Sequence, residues 1–467
     1  MKPKYLVYFV LALSLFLSTG AVLAAIPSDT AANLPWQKNV IDGDKPGVRN
    51  LSTAFVGINN VPMMIWGEND KDIVYWAYRT LDGDGDCGPN DSWRCNSALA
   101  TNLVDGTLSN LATETFINTH VIRWAFQSGT FIRAQTIEQH DDMAFATASS
   151  VDVVDLSKFG GILVGTPSLV SDGLRYRMAF TASDGGGDFA VHKLVYMHYS
   201  GIPNDSCKNG SLYQCDVIET SIGWAAMGAP SFKRALDKSE GIVYYKNGAI
   251  RYAYPWSGVL FRPSNCGPGE TTWRCIDISA PGTGSLGNQV KLAYGSTNTA
   301  AGILYSDKPT DEDRLMRATY VGSGGNCGVD GFAGFDPIKR WDCYVLDASI
   351  DDINATTYSI AYDPEDYPVG AWNNKYTGDT RQRLYLAYPA ARINVYAGWT
   401  TEIIDGNDWS TTGLQAALSI SEDGLGFIGY MQPSYRACGE WYCPSDNTPN
   451  LKAALQVFKT YLPRVQH

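Results

Sequence analysis

Residues 228–279 read GAPSFKRALDKSEGIVYYKNGAIRYAYPWSGVLFRPSNCGPGETTWRCIDIS. Four short runs stand out, at Ser231–Leu236, Gly241–Tyr245, Ile250–Tyr254 and Trp273–Ile278. They are rich in β-branched and aromatic residues and broken by Gly, Asn, Ser and Pro, the punctuation of strands and turns. In the third run Ile250, Tyr252 and Tyr254 alternate, so one face of the strand is apolar. The stretch predicts a four-stranded antiparallel meander. One such sheet cannot bury both faces by itself, and stacking repeated copies is the physical remedy.

The copies are present. First strands begin near Ser52, Gly106, Ser168, Ser231, Asn288, Thr356 and Gly413, at intervals of 54, 62, 63, 57, 68 and 57 residues. Third strands match more closely: Val74–Tyr78, Phe131–Gln135, Leu194–His198, Ile250–Tyr254, Leu315–Thr319, Leu384–Tyr388 and Leu451–Leu455. The last unit has three obvious strands, and an unassigned strand at Gln37–Asp42 precedes the first. That strand echoes Thr401–Gly406 and Asn102–Gly106, where an apolar pair runs into Asp-Gly. Pairing it with the last unit completes a sheet and removes exposed edges. The expected fold is all-β, a seven-bladed β-propeller of four-stranded antiparallel sheets closed by the N-terminal strand. A regular period near 60 argues against two separate sandwiches.

The ends and the composition set the setting. Lys2 and Lys4 precede an apolar run from Tyr5 to Leu17, and Val22-Leu23-Ala24 offers a small-residue cleavage pattern. Residues 1–24 are expected to be a signal peptide, 25–36 a leader, and 37–467 a single propeller. No later stretch approaches 18 consecutive apolar residues, so no membrane span is expected in the mature chain. The expected location is secreted, periplasmic or otherwise extracellular. The chain has 467 residues, 45% of them hydrophobic and only 18% charged, which excludes a disordered polymer. The formal net charge of −12 argues against a nucleic-acid partner.

Ten cysteines form local pairs: Cys87 with Cys95, Cys207 with Cys215, Cys266 with Cys275, Cys327 with Cys343, and Cys438 with Cys443. None shows the CxxC spacing of a redox motif, and an even count in a secreted chain predicts disulfides. The surroundings repeat as Cys-Gly followed by Trp-x-Cys around Trp93, Trp273 and Trp341. Each Trp is expected to cover its disulfide. The first four pairs fall between third and fourth strands, the fifth between second and third.

Other constellations are sparse. Asp82, Asp84 and Asp86 alternate in a Gly-rich loop, the opening of a calcium site, because a hard cation takes hard oxygen ligands. Position twelve of that loop is Trp93 rather than Glu, so an EF-hand fails, and an acidic hairpin tip is the competing reading. Of five histidines, His192 and His198 share one strand face. No HExxH and no GxSxG occurs, which removes zinc hydrolases and α/β-hydrolases. Asp42, Asp105, Asp237, Asp277 and Asp405 all sit where turns or strand ends favour Asp, and none is assigned to catalysis.

Pro230-Ser231-Phe232 with Leu236-Asp237, then Gly241–Tyr245, then Ile250–Ala253, resembles secreted bacterial propeller repeats of the sialidase-like and BNR-repeat group. Pro167-Ser168-Leu169 and Ala301–Asp307 echo the same blade. The resemblance is carried by structural motifs. The Asp-box SxDxGxTW of that group is only grazed by Ser421–Phe427. Together these features predict an extracellular recognition or scaffold module, with glycans as the favoured ligand and cell-surface or extracellular proteins as the other partners. Two rival readings are a carbohydrate-active hydrolase or lyase on the same ring, and a structural surface protein without a small ligand.

Overall fold

The computed structural model describes residues 36–456 except 43–47, 58, 69–70, 81–83, 117–118, 141–147, 174, 225, 258–262, 271, 280–284, 298–299, 311, 333–334, 351–355, 376–381, 390–397, 407–413, 433–434, 439–440 and 445–449. The expected signal peptide and nearly all of the leader therefore lie outside the described residues. Among those described, no helix is long and apolar enough to cross a membrane.

The chain is all-β. After β1 (Trp36–Asp42) come β2 (Val48–Val56), β3 (Val61–Glu68), β4 (Ile73–Arg79) and β5 (Trp93–Leu99). The second unit is β6 (Ala112–Phe116), β7 (Thr119–Ser128), β8 (Phe131–His140) and β9 (Ser149–Asp155). The third is β10 (Ile162–Leu163), β11 (Ser168–Asp172), β12 (Arg175–Ser183), β13 (Val191–Asn204) and β14 (Ser211–Ile222). The fourth is β15 (Ser231–Arg234), β16 (Glu240–Lys246), β17 (Ala249–Pro255) and β18 (Trp273–Asp277). The fifth is β19 (Ser285–Ala293), β20 (Gly302–Lys308), β21 (Asp313–Tyr320), β22 (Cys327–Phe332) and β23 (Phe335–Ile350). The sixth is β24 (Tyr358–Tyr362), β25 (Pro368–Lys375), β26 (Gln382–Pro389) and β27 (Trp399–Asp405). The last is β28 (Leu414–Ile420), β29 (Gly426–Gln432), a hairpin of β30 (Tyr435–Cys438) and β31 (Trp441–Pro444), and β32 (Asn450–Gln456).

All seven expected third strands fall within β4, β8, β13, β17, β21, β26 and β32. The N-terminal strand also behaves as expected: β1 runs antiparallel to β32, from Trp36 opposite Gln456 to Asp42 opposite Leu451. Two expectations need correction. Leu236 does not extend its strand; β15 stops at Arg234, and Leu236 is 83% exposed in the turn. Asn102–Gly106 is not a fourth strand either, since β5 already fills that place and Leu103 makes only an isolated bridge to Ser128.

Adjacent units are sewn together near the axis by one recurring device. A side chain on or beside the innermost strand of every unit but the fifth bonds the backbone of a neighbouring unit, consistent with the need to satisfy buried N–H and C=O groups. Ser52 Oγ accepts the Leu111 N–H at 2.9 Å, Asn110 Oδ1 the Leu169 N–H at 2.8 Å, and Ser168 Oγ the Phe232 N–H at 2.9 Å. Ser231 Oγ accepts the Leu292 N–H at 3.0 Å, and Tyr358 donates to the Gln289 carbonyl. Thr357 Oγ1 accepts the Ala416 N–H at 3.3 Å, and Gln415 Nε2 donates to the Val48 carbonyl at 2.8 Å. The last bond joins the final unit to the first, so the arrangement is a propeller-like ring. Its core lies between the sheets. Phe427, Leu451 and Leu455 of the last unit, for example, pack with Met64, Trp66 and Trp93 of the first.

The outer rim is clasped by the disulfide loops. Bonds join Cys87 to Cys95, Cys207 to Cys215, Cys266 to Cys275 and Cys327 to Cys343. Cys438 and Cys443 lie on the β30–β31 hairpin, whose side chains are outside the described residues. Trp93, Trp273 and Trp341 are 0%, 4% and 0% exposed, as expected of rings covering the staples. The glycine after the first cysteine is required by that packing. Gly88, Gly267 and Gly328 have φ of 72°, 83° and 66°, and an added Cβ would lie 2.7, 2.6 and 2.3 Å from the Trp ring. Each loop also reaches the outer strand region of the preceding unit. The Gly88 N–H donates to the Ile41 carbonyl at 3.0 Å and the Gly267 N–H to the Ile218 carbonyl at 2.9 Å.

Seven separate four-stranded sheets are not what forms. In the third Trp-bearing loop, Cys327 and Cys343 are 16 positions apart rather than 8 or 9. Its extra length makes a strand, β22, and Val329 pairs with Asp277 at the edge of β18. The fourth and fifth units thereby merge into one nine-stranded sheet, in the order β15-β16-β17-β18-β22-β23-β21-β20-β19. The third unit gains β10 as a fifth strand.

Candidate functional site, a charged groove between two sheets

The third and fourth units enclose a groove of about 630 Å³. Its third-unit wall carries Arg177 on β12, Tyr196 and His198 on β13, and Asp216 on β14. Its fourth-unit wall carries Arg234 on β15, Glu240 on β16, Tyr252 and Tyr254 on β17, and Trp273 on β18. Strand alternation explains the pairing of residues two apart: Tyr196 and His198 point to one face, as do Tyr252 and Tyr254.

The floor is an ionic ladder across the unit boundary. Asp172 accepts from Arg177 Nε at 2.9 Å and from Arg234 Nη1 at 2.5 Å. Glu240 lies 2.9 Å from Arg177 and 3.4 Å from Arg234. Tyr196 donates its hydroxyl to Glu240 at 2.7 Å and accepts from Arg177 at 3.0 Å. Burial would raise the Asp172 carboxyl, but hydrogen bonds and charge from Arg234 and Arg177 outweigh it and hold the pKa below its ordinary value. Burial and the Glu240 charge push the Tyr196 phenol up, so it keeps its proton.

The upper walls are less committed. The His198 ring stacks on Tyr196 at 5.4 Å and sits 3.4 Å from Asp216 Oδ2. Burial lowers its pKa, against the opposing pull of Asp216, so the ring is neutral at neutral pH. Tyr254 is half-buried and stacks on Tyr252 at 5.5 Å. Trp273 closes the base, edge-on to Tyr196 at 5.0 Å.

The sign of the Asp172 shift gives a test. Its folded pKa is depressed, so its contribution is present above the unfolded value of about 3.9 and is lost as pH falls through the folded value. Asp172→Asn is expected to be less stable than wild type at pH 6–7. The difference should narrow as pH falls below the unfolded value of about 3.9 and through the depressed folded value. Urea midpoints measured across that range decide it.

The residues singled out in the sequence are scattered. Asp82 lies outside the described residues. Asp84 is exposed, with Oδ2 3.5 Å from Arg94. Asp86 Oδ1 accepts the Cys95 N–H at 2.8 Å, which ties the loop to its staple. The neighbouring sulfurs of Cys87 and Cys95 are bonded to each other and offer no thiolate. His192 turns to the Gly223 carbonyl at 3.0 Å, away from the role His198 takes in the groove. Asp277 pairs with Arg251 at 3.1 Å, and Asp405 with Lys452 at 2.6 Å. Sequence reading missed Arg177, Asp172, Arg234 and Glu240. Their one signal was charge inside otherwise apolar runs, at Arg177 and Arg234 within strand patterns.

No protein-family model matches the chain, and no curated protein matches it. Among solved structures, a fucose-specific lectin from Aleuria aurantia is similar with a TM-score of 0.41 at 9% identity, covering 78% of this chain and 97% of the lectin. The NanB sialidase from Streptococcus pneumoniae gives 0.42 at 8%, covering 89% of this chain and 70% of the sialidase. The α-L-arabinofuranosidase PaAbf62A from Podospora anserina gives 0.30 at 10%, covering 76% and 91%. With TM-scores below 0.5, the reading of the groove rests on this chain's own residues.

Proposed function

We propose that this protein is an extracellular recognition module on a seven-bladed ring, the nine-stranded sheet being two blades joined at their rim, and that the groove between the third and fourth units takes a glycan. The observation that carries this is the combination in one groove of flat aromatic faces with fixed charged hydrogen-bonding groups. Sugars offer apolar C–H faces and radiating hydroxyls, which such a wall complements. Asp216, His198 and Gln214 supply acceptors and donors, and Tyr254 a face. The partners this implies are free glycans or glycosylated cell-surface proteins.

Hydrolysis in the same groove is the rival reading. A glycosidase of the usual kind needs a carboxylic acid that can donate a proton and a second carboxylate as base or nucleophile. The carboxylates that line the groove are Asp216 and Glu240, and Glu240 is already bonded to Tyr196 and paired with Arg177. Tyr196 keeps its proton and donates it to Glu240 at 2.7 Å, the hydroxyl–carboxylate pair that the hydrolytic rival would use. A glycan array followed by a product assay on the same glycans is the test. Tyr254→Ala and Asp216→Asn are each expected to weaken binding tenfold or more while the melting temperature holds. Product formation would move the assignment to hydrolase or lyase, and a folded sample silent in both assays would leave a structural surface protein.

Calcium at Asp82, Asp84 and Asp86 is a second, separate proposal, supported by the hard oxygen donors of a short loop. A bound ion should raise the melting temperature relative to chelator, and Asp84→Asn should lose that difference. Equal melting temperatures would assign the loop to hairpin geometry alone.

A further inference from the structure

The axis of the ring holds a second feature, distinct from the groove. A vestibule of about 780 Å³ opens on one side. It meets a narrower waist of about 180 Å³, with which it shares Thr53, Leu111, Lys233, Ile360, Leu418 and Ser419. The waist is lined by the innermost segment of every unit. Two of its lining residues are charged, Lys233 on β15 and Lys291 on β19. Among the described residues, no carboxylate lines the waist, and neither ammonium makes a hydrogen bond or ion pair. In a chain of net charge −12, two adjacent cations with no carboxylate beside them make the centre of the ring a local positive site.

We propose that the waist is an oxyanion site, in which Lys233 and Lys291 together hold a carboxylate or sulfate group. A waist of this volume admits such a group, and the vestibule above it has room for a sugar-sized body. Hydroxyls around the waist can add hydrogen bonds to an anion but carry no charge to hold it. Ser52, Ser168 and Ser231 are already committed to the inter-unit bonds.

The charge state supports the geometry. Desolvation inside the ring and the neighbouring Lys291 charge push the Lys233 ammonium down to about 8. The other titratable groups facing Lys233 are accounted for. Arg234 is ion-paired in the groove floor, and Glu114 on β6 accepts the Gly173 N–H. His120 on β7 is bonded to Thr115, and Glu422 lies at the exposed mouth. Burial keeps Tyr294 and Tyr358 protonated. Lys233 therefore carries charge below pH 8 and loses it above, and a bound anion should restore its proton.

Calorimetry at low ionic strength with sulfate, glucuronate and glucose tests the site in the intact protein. At least one of the two anions should bind at pH 6.5, at least tenfold more weakly at pH 9, and glucose should not compete. Binding of sulfate alone points to a sulfate group, and binding of glucuronate to a sugar acid. Lys233→Met and Lys291→Met should each cost tenfold or more. Should a variant fail to fold, amine-selective labelling of wild type gives the second reading, with the anion expected to protect Lys233. No heat and no protection with folded wild type overturns the site, as does unchanged affinity in both folded variants. Neutral-glycan binding in the groove should be unaltered in Lys233→Met, so failure of one assignment leaves the other standing.

Discussion

Asp330→Ala is expected to lower stability by about 3–5 kcal/mol, the range for removing one partner of a buried ionic cluster. Asp330 is fully buried on β22, the strand that exists only because the third Trp-bearing loop is long. One oxygen accepts from Arg274 Nε at 3.0 Å and Nη2 at 2.7 Å, and the other from Arg340 Nε at 2.8 Å. Arg274 lies on β18 and Arg340 on β23, so one carboxylate ties the fourth unit to the fifth. Arg274 is only 6% exposed, and without Asp330 its charge stays buried with no counter-ion at that position. The guanidiniums retain carbonyl partners at Pro263, Gly331 and Gly322, which satisfy hydrogen bonds but do not balance charge. The denaturation midpoint is the measurement. A shift under about 1 kcal/mol, the scale of an exposed ion pair, would show that water reaches the cluster.

Trp341→Ala is expected to cost a similar amount, about 3–5 kcal/mol, as for other fully buried large aromatics. The ring packs edge-on to Tyr252 of the fourth unit at 5.2 Å and to Tyr320 of its own unit at 5.3 Å. Its indole N–H has no acceptor among the described residues, so the loss comes from packing rather than from a broken hydrogen bond. The cavity would open beside Gly328, whose backbone packs directly on the ring. A conservative Trp341→Phe should recover a large part of the loss if packing is the cause. Equal destabilisation by Ala and Phe would point to the indole's shape against the disulfide instead.

Much of the architecture was legible in the chain because the signals are local. Each third strand carries its own apolar alternation, so all seven could be placed without knowing a neighbour. The spare strand at Gln37–Asp42 predicted its pairing with Asn450–Gln456, since an unfilled sheet edge needs a partner. Cysteines 8 or 9 residues apart across a hairpin have few other choices. The merged sheet was not legible. It depends on whether a longer loop lands against the preceding outer strand, and loop length alone does not say where a loop lands.

The all-β class, the repeat, the closing strand and four of the five local disulfides could be read along the chain, because strand pattern, turns and short crosslinks are set by residues near one another in it. Only the tertiary structure decided the groove and the waist. Asp172 meets Arg234 across 62 residues, and Lys233 meets Lys291 from the next unit. Period-two alternation tells which face a side chain occupies, but not which residue of the adjacent sheet will face it. That choice is set by how the units stack around the axis, and it is there that charges spaced widely in sequence acquire their chemistry.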